Sequence, residues 1–289
     1  MDGSEAAWIE WECNDSSWDN SHLHEKFKPF LDSLKPGNKV AVITMTGSCC
    51  PITIAHCMAF EVARSLLKDR APEYTEVLGA LALNTDGHVS NKFHEKGEEI
   101  IEWTSRAMLV RLATEETSWL SVSHLKESQV VWDLQQSWEC IDFVQYHLNG
   151  ADDVLKYEKW TWAVDENNRF IALGRPTYTE RLRELAPETP FFLIGPELPD
   201  ISSSQVRDAL YEEDFEALAK LLHPAVVAWC LHHSPYRRCK RQRRIAQDRL
   251  EAQRKRALAS NCCLRFFPQR LFRIWFNTRE EQTYLNHSR

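Results

Sequence analysis

Residues 39–56 read KVAVITMTGSCCPITIAH, and this stretch decides the fold. The run 39–45 is short, apolar and rich in β-branched residues, the pattern of a strand buried on both faces of a parallel sheet. It runs into Thr46-Gly47-Ser48, and from His56 onward Met58, Phe60, Val62, Ala63, Leu66 and Leu67 recur at helical spacing. Strand, glycine turn and helix open a doubly wound α/β sheet. The turn is also where backbone N–H groups and a helix N-terminus favour an anion. Gly47 permits close approach of a ligand, Pro51 stiffens the turn, and His56 lies near enough to the helix start to donate to a phosphate oxygen. An ordinary strand-to-helix turn with a satisfied histidine explains the same segment equally well.

Working outward, the alternation continues. Strands are expected at 77–83, 119–122, 169–173 and 190–194, and helices at 97–113, 129–147, 204–222 and 224–232. A parallel sheet with crossover helices is the economical topology, a Rossmann-like α/β fold. Before it, residues 1–36 are acidic and Trp-rich without a periodic pattern, and Lys35-Pro36-Gly37-Asn38 is a turn signal after which the ordered core should begin. After it, Ser234-Pro235 marks the best boundary. The expected organisation is an N-terminal extension (1–36), one catalytic-size domain (37–234) and a basic, aromatic, helical C-terminal extension (235–289).

A second segment, Asp200-Ile201-Ser202-Ser203-Ser204-Gln205-Val206-Arg207, sets three hydroxyls at the start of an expected helix with a cation one turn in. A plain serine cap with a solvated arginine is the simpler reading of it alone. Taken together and in order, however, the segments resemble the paired signatures of the nucleotidyltransferase superfamily. The eukaryotic nicotinamide or nicotinic acid mononucleotide adenylyltransferases carry GSFNPIT..H, GAD.L and ISST.IR. Here stand Gly47-Ser48, Pro51-Ile52-Thr53 and His56, then Gly150-Ala151-Asp152, then Ile201-Ser202-Ser203 and Arg207. The resemblance runs over 39–233. Arg106 with Leu112-Ala113, Gly174-Arg175-Pro176 and the stretch 221–233 are weaker echoes of the same family.

The resemblance implies transfer of the adenylyl group of ATP to the 5′-phosphate of a pyridine mononucleotide, releasing pyrophosphate without a covalent intermediate. Mg²⁺ would ride on the phosphates. It implies that His56 meets the α/β-phosphates, that Gly47 and Ser48 hold the acceptor phosphate, and that Ser202, Ser203 and Arg207 cradle the β/γ-phosphates. Asp152, with Gly150, would accept hydrogen bonds from the ribose, leaving Asp153 as a bystander; Arg175 is a lesser candidate. The chain departs from the family at Cys49-Cys50, at Ser90 where a lysine is expected with Lys92 two residues on, and at Leu125 where an aromatic stacks the pyridine. Most of these departures fall on the acceptor side. Transfer to another phosphate-bearing acceptor, or a nucleotide-binding scaffold without activity, therefore stand as the alternatives.

Composition bounds the rest. Nine cysteines without framework spacing read as reduced thiols, and no His/Cys spacing suits structural zinc. No apolar run approaches the length of a membrane span and no signal pattern is seen, so the cytosol or nucleus is the expected location. No nucleic-acid partner is expected, and self-association stays open. Tyr236 to Arg289 holds 15 Lys and Arg against 4 Asp and Glu, whereas the rest holds 20 against 38. The basic and aromatic run 237–276 suits an anionic membrane surface, with a nuclear-import signal or packing on the acidic body as alternatives.

Overall fold

The computed structural model describes residues 20–94, 100–162, 164–174 and 176–236. The chain divides into two compact units, 1–239 and 240–289; the second, Arg175 and the run 237–276 lie outside the described residues.

Six strands form one parallel sheet: β1 (Lys39–Gly47), β2 (Tyr74–Leu83), β3 (Leu120–Ser123), β4 (Asp142–Gly150), β5 (Arg169–Gly174) and β6 (Phe192–Glu197). Their spatial order is β3-β2-β1-β4-β5-β6. β1 lies inside the sheet because Val40, Ala41, Val42 and Ile43 are all fully buried, as a strand covered on both faces requires. The order reverses between β1 and β4, the place where α/β sheets of this kind open a crevice beyond the carboxyl ends of their strands. The α/β fold class read from the sequence is thus the one observed.

Around the sheet run α1 (Ser21–Leu31), α2 (Ile54–Arg70), α3 (Asp86–His94), α4 (Trp103–Thr114), α5 (Glu127–Ser137), α6 (Ala151–Tyr157), α7 (Tyr178–Leu185), α8 (Ser203–Glu212), α9 (Phe215–Leu221) and α10 (Pro224–His233). α2 buries Ala59, Phe60, Ala63 and Leu67, one face at helical spacing, and touches β1, β2, β4, β5 and β6. It comes that close because β2 offers Gly79, where a Cβ would meet Leu120 at 2.8 Å and Phe60 at 3.0 Å.

Four expectations are corrected. Residues 129–147 are not one helix: α5 stops at Ser137 and the chain resumes as β4, which pairs with β1. Residues 204–222 are two helices, because Glu213 takes φ 55° and the Asp214 carboxylate accepts from Ala217 N–H at 2.9 Å to cap the second. Residues 100–102 precede α4 rather than belonging to it. The order does not wait for Asn38: α1 buries Leu23, Phe27 and Leu31, four residues apart, and packs against β2 and β3.

Candidate active site

With every strand parallel, the segments leaving β1, β2, β4, β5 and β6 emerge on one edge, and a cavity of about 440 Å³ opens there. Of the eight residues singled out from the sequence, Ser48, His56, Gly150, Asp152, Ser202, Ser203 and Arg207 line it. Gly47 is the last residue of β1, one step behind Ser48. The segments 47–56, 150–152 and 202–207 therefore meet at one cavity, although about 50 to 100 residues separate each from the next.

His56 is the third residue of α2. Its Nδ1 accepts from the Thr53 backbone N–H at 3.1 Å and lies 2.7 Å from Thr53 Oγ1. An Nδ1 that accepts leaves the ring hydrogen on Nε2, so the neutral tautomer is a donor at the mouth of a helix N-terminus.

Gly150 caps α6 for a steric reason: a Cβ there would stand 2.5 Å from Asp152 Oδ1. The glycine thus lets Asp152 fold back over its own backbone onto the cavity wall. Its neighbour Asp153 is instead taken by Lys159 at 2.6 Å.

The serines are busier than the sequence suggests. Ser202 Oγ accepts from Gln205 N–H at 3.3 Å while Gln205 Oε1 accepts from Ser202 N–H at 2.6 Å, a reciprocal cap of α8. Ser203 Oγ donates to Pro51 O at 2.7 Å. Any anion here would therefore meet the first-turn N–H groups of α8, which a helix leaves without intrahelical partners, rather than two spare hydroxyl hydrogens. Arg207, 3% exposed, donates from Nη1 to Cys50 O at 2.8 Å and from Nη2 to Ser204 Oγ at 3.1 Å, with its guanidinium 4.6 Å from the Phe93 ring centre. It binds α8 to the 48–51 loop and still shows an edge to the cavity.

Several contributors were missed or only glimpsed. Lys92 lines the cavity from α3, whereas Ser90 is exposed and not part of the lining. Asn149 lines it from the end of β4, its Oδ1 accepting from Lys159 at 2.5 Å. Arg106, fully buried, is the loop's other anchor: it donates to Ser48 O at 2.9 Å, to Asn84 O at 2.8 Å, to Ile101 O at 3.2 Å and to Asp86 Oδ1 at 2.7 Å. Nothing local in the sequence announces these long-range partners.

Cys49 and Cys50 complete the loop, and both are buried. Burial pushes the Cys49 thiol well up and the Cys50 thiol up to about 11, which keeps both protonated and unreactive near neutrality. Close by, burial would raise the Glu127 carboxyl at the start of α5, but hydrogen bonds from His147, Thr46 and Thr44 outweigh it and hold the group below the usual carboxylate range.

Among known proteins, no family model matches the chain and no curated protein does. Solved structures resemble it. A Plasmodium falciparum nicotinic acid mononucleotide adenylyltransferase complexed with NaAD is 17% identical, with 67% of this chain and 95% of that one covered at a TM-score of 0.46. The same enzyme complexed with APC gives 17% identity, 67% and 96% coverage, and a TM-score of 0.46. At that identity and TM-score the likeness carries no argument about function.

Proposed function

We propose that the chain is a nucleotidyltransferase of the mononucleotide adenylyltransferase type, joining ATP to nicotinamide or nicotinic acid mononucleotide. One observation carries this reading: three separate motif segments supply donors of phosphate chemistry and a ribose-type carboxylate to the same cavity at the sheet's switch point. The donor end is taken as the part of the lining contributed by His56, Lys92, Arg207 and the start of α8, with Lys92 and Arg207 its cations; Asp152 supplies the carboxylate.

In this reading the triphosphate lies along the donor end. The acceptor's phosphate oxygen attacks the α-phosphorus in line, a P–O bond forms, and the bond to pyrophosphate breaks. His56 Nε2–H meets charge that grows on the α/β-phosphates, and Arg207 with the α8 N–H groups holds the β/γ-phosphates. Gly47 and Ser48 receive the acceptor phosphate, and Lys92 takes the place that Ser90 leaves without a cation. Gly150 and Asp152 hold the ribose, the carboxylate accepting from its hydroxyls. Such a donor set suits phosphate oxygens, so Mg²⁺ would be held by those oxygens, and it would add charge neutralisation there.

The departures at Cys49-Cys50 and Leu125 support a second reading, transfer to a different phosphate-bearing acceptor, since Leu125 offers no ring to stack a pyridine. Incubation with ATP, Mg²⁺ and each pyridine mononucleotide separates the readings. Stoichiometric pyrophosphate and dinucleotide are expected. ATP binding without pyrophosphate would rule out the pyridine acceptors and leave transfer to another acceptor or the nucleotide-binding scaffold, and no ATP binding would remove the proposal altogether.

A further inference from the structure

We propose that Tyr236 is a positioning residue that fixes the donor end of the cavity from behind, and this rests on the nucleotide reading above. Tyr236 is 3% exposed, although it stands two residues past the boundary suggested by Ser234-Pro235. Ser234 and Tyr236 both take positive φ, 44° and 62°, an uncommon choice for residues with a Cβ. These turns return the chain to the body after α10, and the ring enters a cluster with Cys50, Val89 and Phe93, flanked by Ile100, Ile101, Leu210 and Tyr211. Tyr236 itself is not part of the cavity lining.

Its neighbours are the parts that face a ligand. Cys50 and Phe93 line the cavity, and both hold Arg207: the Cys50 carbonyl accepts from it and the Phe93 ring lies against its guanidinium. Val89 and Phe93 are the buried side of α3, the helix that carries Lys92 into the lining. One ring thus backs two elements that place two cations. Asp152 and Gly150 lie on α6 and at the end of β4, and neither element contributes to this cluster. The work belongs to the ring, because the Tyr236 hydroxyl is buried with no hydrogen-bond partner among the described residues, a costly placement that a phenyl ring would avoid.

The test uses the full chain with Tyr236→Ala, Tyr236→Leu and Tyr236→Phe, titrated with ATP and with adenosine. Tyr236→Ala should weaken ATP at least tenfold and adenosine less than twofold, because only the phosphates need the cations in register. Tyr236→Phe should match the native chain for both ligands with an equal or higher Tm. Hydrogen exchange should quicken in 86–93 and around Ser48 to Cys50 in Tyr236→Ala while Val40 to Ile43 stay protected. Should Tyr236→Ala fail to fold, Tyr236→Leu carries the same measurements. Native ATP affinity in Ala and Leu, equal losses for ATP and adenosine, or exchange that quickens across the whole sheet would each overturn the proposal. A native chain that binds no ATP would overturn the nucleotide reading instead, and the exchange data would then decide the positioning role alone.

Discussion

Two buried arginines hold the same loop, one at Ser48 O and the other at Cys50 O, and they differ in what else they meet. Arg106 spends its donors on Ser48 O, Asn84 O, Ile101 O and the Asp86 carboxylate, and none of it reaches the cavity. Arg207 donates to Cys50 O and Ser204 Oγ and keeps an edge on the cavity wall. An arginine sealed in with a carboxylate and three carbonyls is structural. One that anchors the loop by a carbonyl while it faces open volume is the one that the proposed nucleotide reading assigns to an incoming anion. The behaviour of variants should separate these two roles.

The largest effect should come from Arg106→Met, which leaves the Ser48, Asn84 and Ile101 carbonyls without its guanidinium. Asp86 is half exposed and can return to water, so the carbonyls carry the loss, on the order of 3 kcal/mol in urea unfolding. A variant within about 0.5 kcal/mol of the native chain would erase the distinction between the two arginines. Next comes His56→Ala, expected to lower turnover by at least ~10²-fold, since its Nε2 donor matters most where charge develops. Native kcat in the folded variant would end that assignment. Arg207→Ala and Asp152→Asn should each weaken ATP binding by about 1 to 3 kcal/mol, read by calorimetry. If both bind ATP as the native chain does, the cavity is not a nucleotide site.

How far the sequence leads depends on whether a signal is local. β1 and α2 were legible because burial on both faces and a one-sided helix leave different periodicities on neighbouring residues. β4 was not, because the apolar residues of 129–147 keep a helical rhythm through the break at Trp138 to Ile141. α1 escaped because its buried stripe is only Leu23, Phe27 and Leu31 in an otherwise largely polar stretch containing Pro29, and β2 and β3 supply what propensity does not. In the site, Ser48, His56, Asp152 and Arg207 could be named because each sits in a short motif. The clamps on them could not: Ser48 O to Arg106 and Pro51 O to Ser203 Oγ join residues 58 and 152 positions apart. Lys92 stood between, since the absence of a cation at Ser90 could be seen but the reach of α3 could not.

The smallest effect should fall between the two anchors, at the loop thiols themselves. Cys49 and Cys50 line the cavity yet are only 2% and 1% exposed. Burial raises both, and Cys50 reaches about 11 against an ordinary value of 9.0. At pH 8 about one Cys50 in 10³ is then thiolate, the form that attacks iodoacetamide. Alkylation of the folded chain at pH 8, followed by peptide mass spectrometry, should modify the exposed Cys140 and leave Cys49 and Cys50 intact, with ATP affinity unchanged. The Cys50 rate should climb about tenfold per pH unit toward pH 11. The sign for stability runs the other way: the unfolded thiol loses its proton from about pH 9 while the folded one keeps it. The stabilising difference is therefore complete below pH 9 and is lost as pH rises toward 11. Rapid modification of Cys50 at pH 8 with loss of ATP binding would mean that the loop opens readily in solution, and that neither Arg106 nor Arg207 holds it as described.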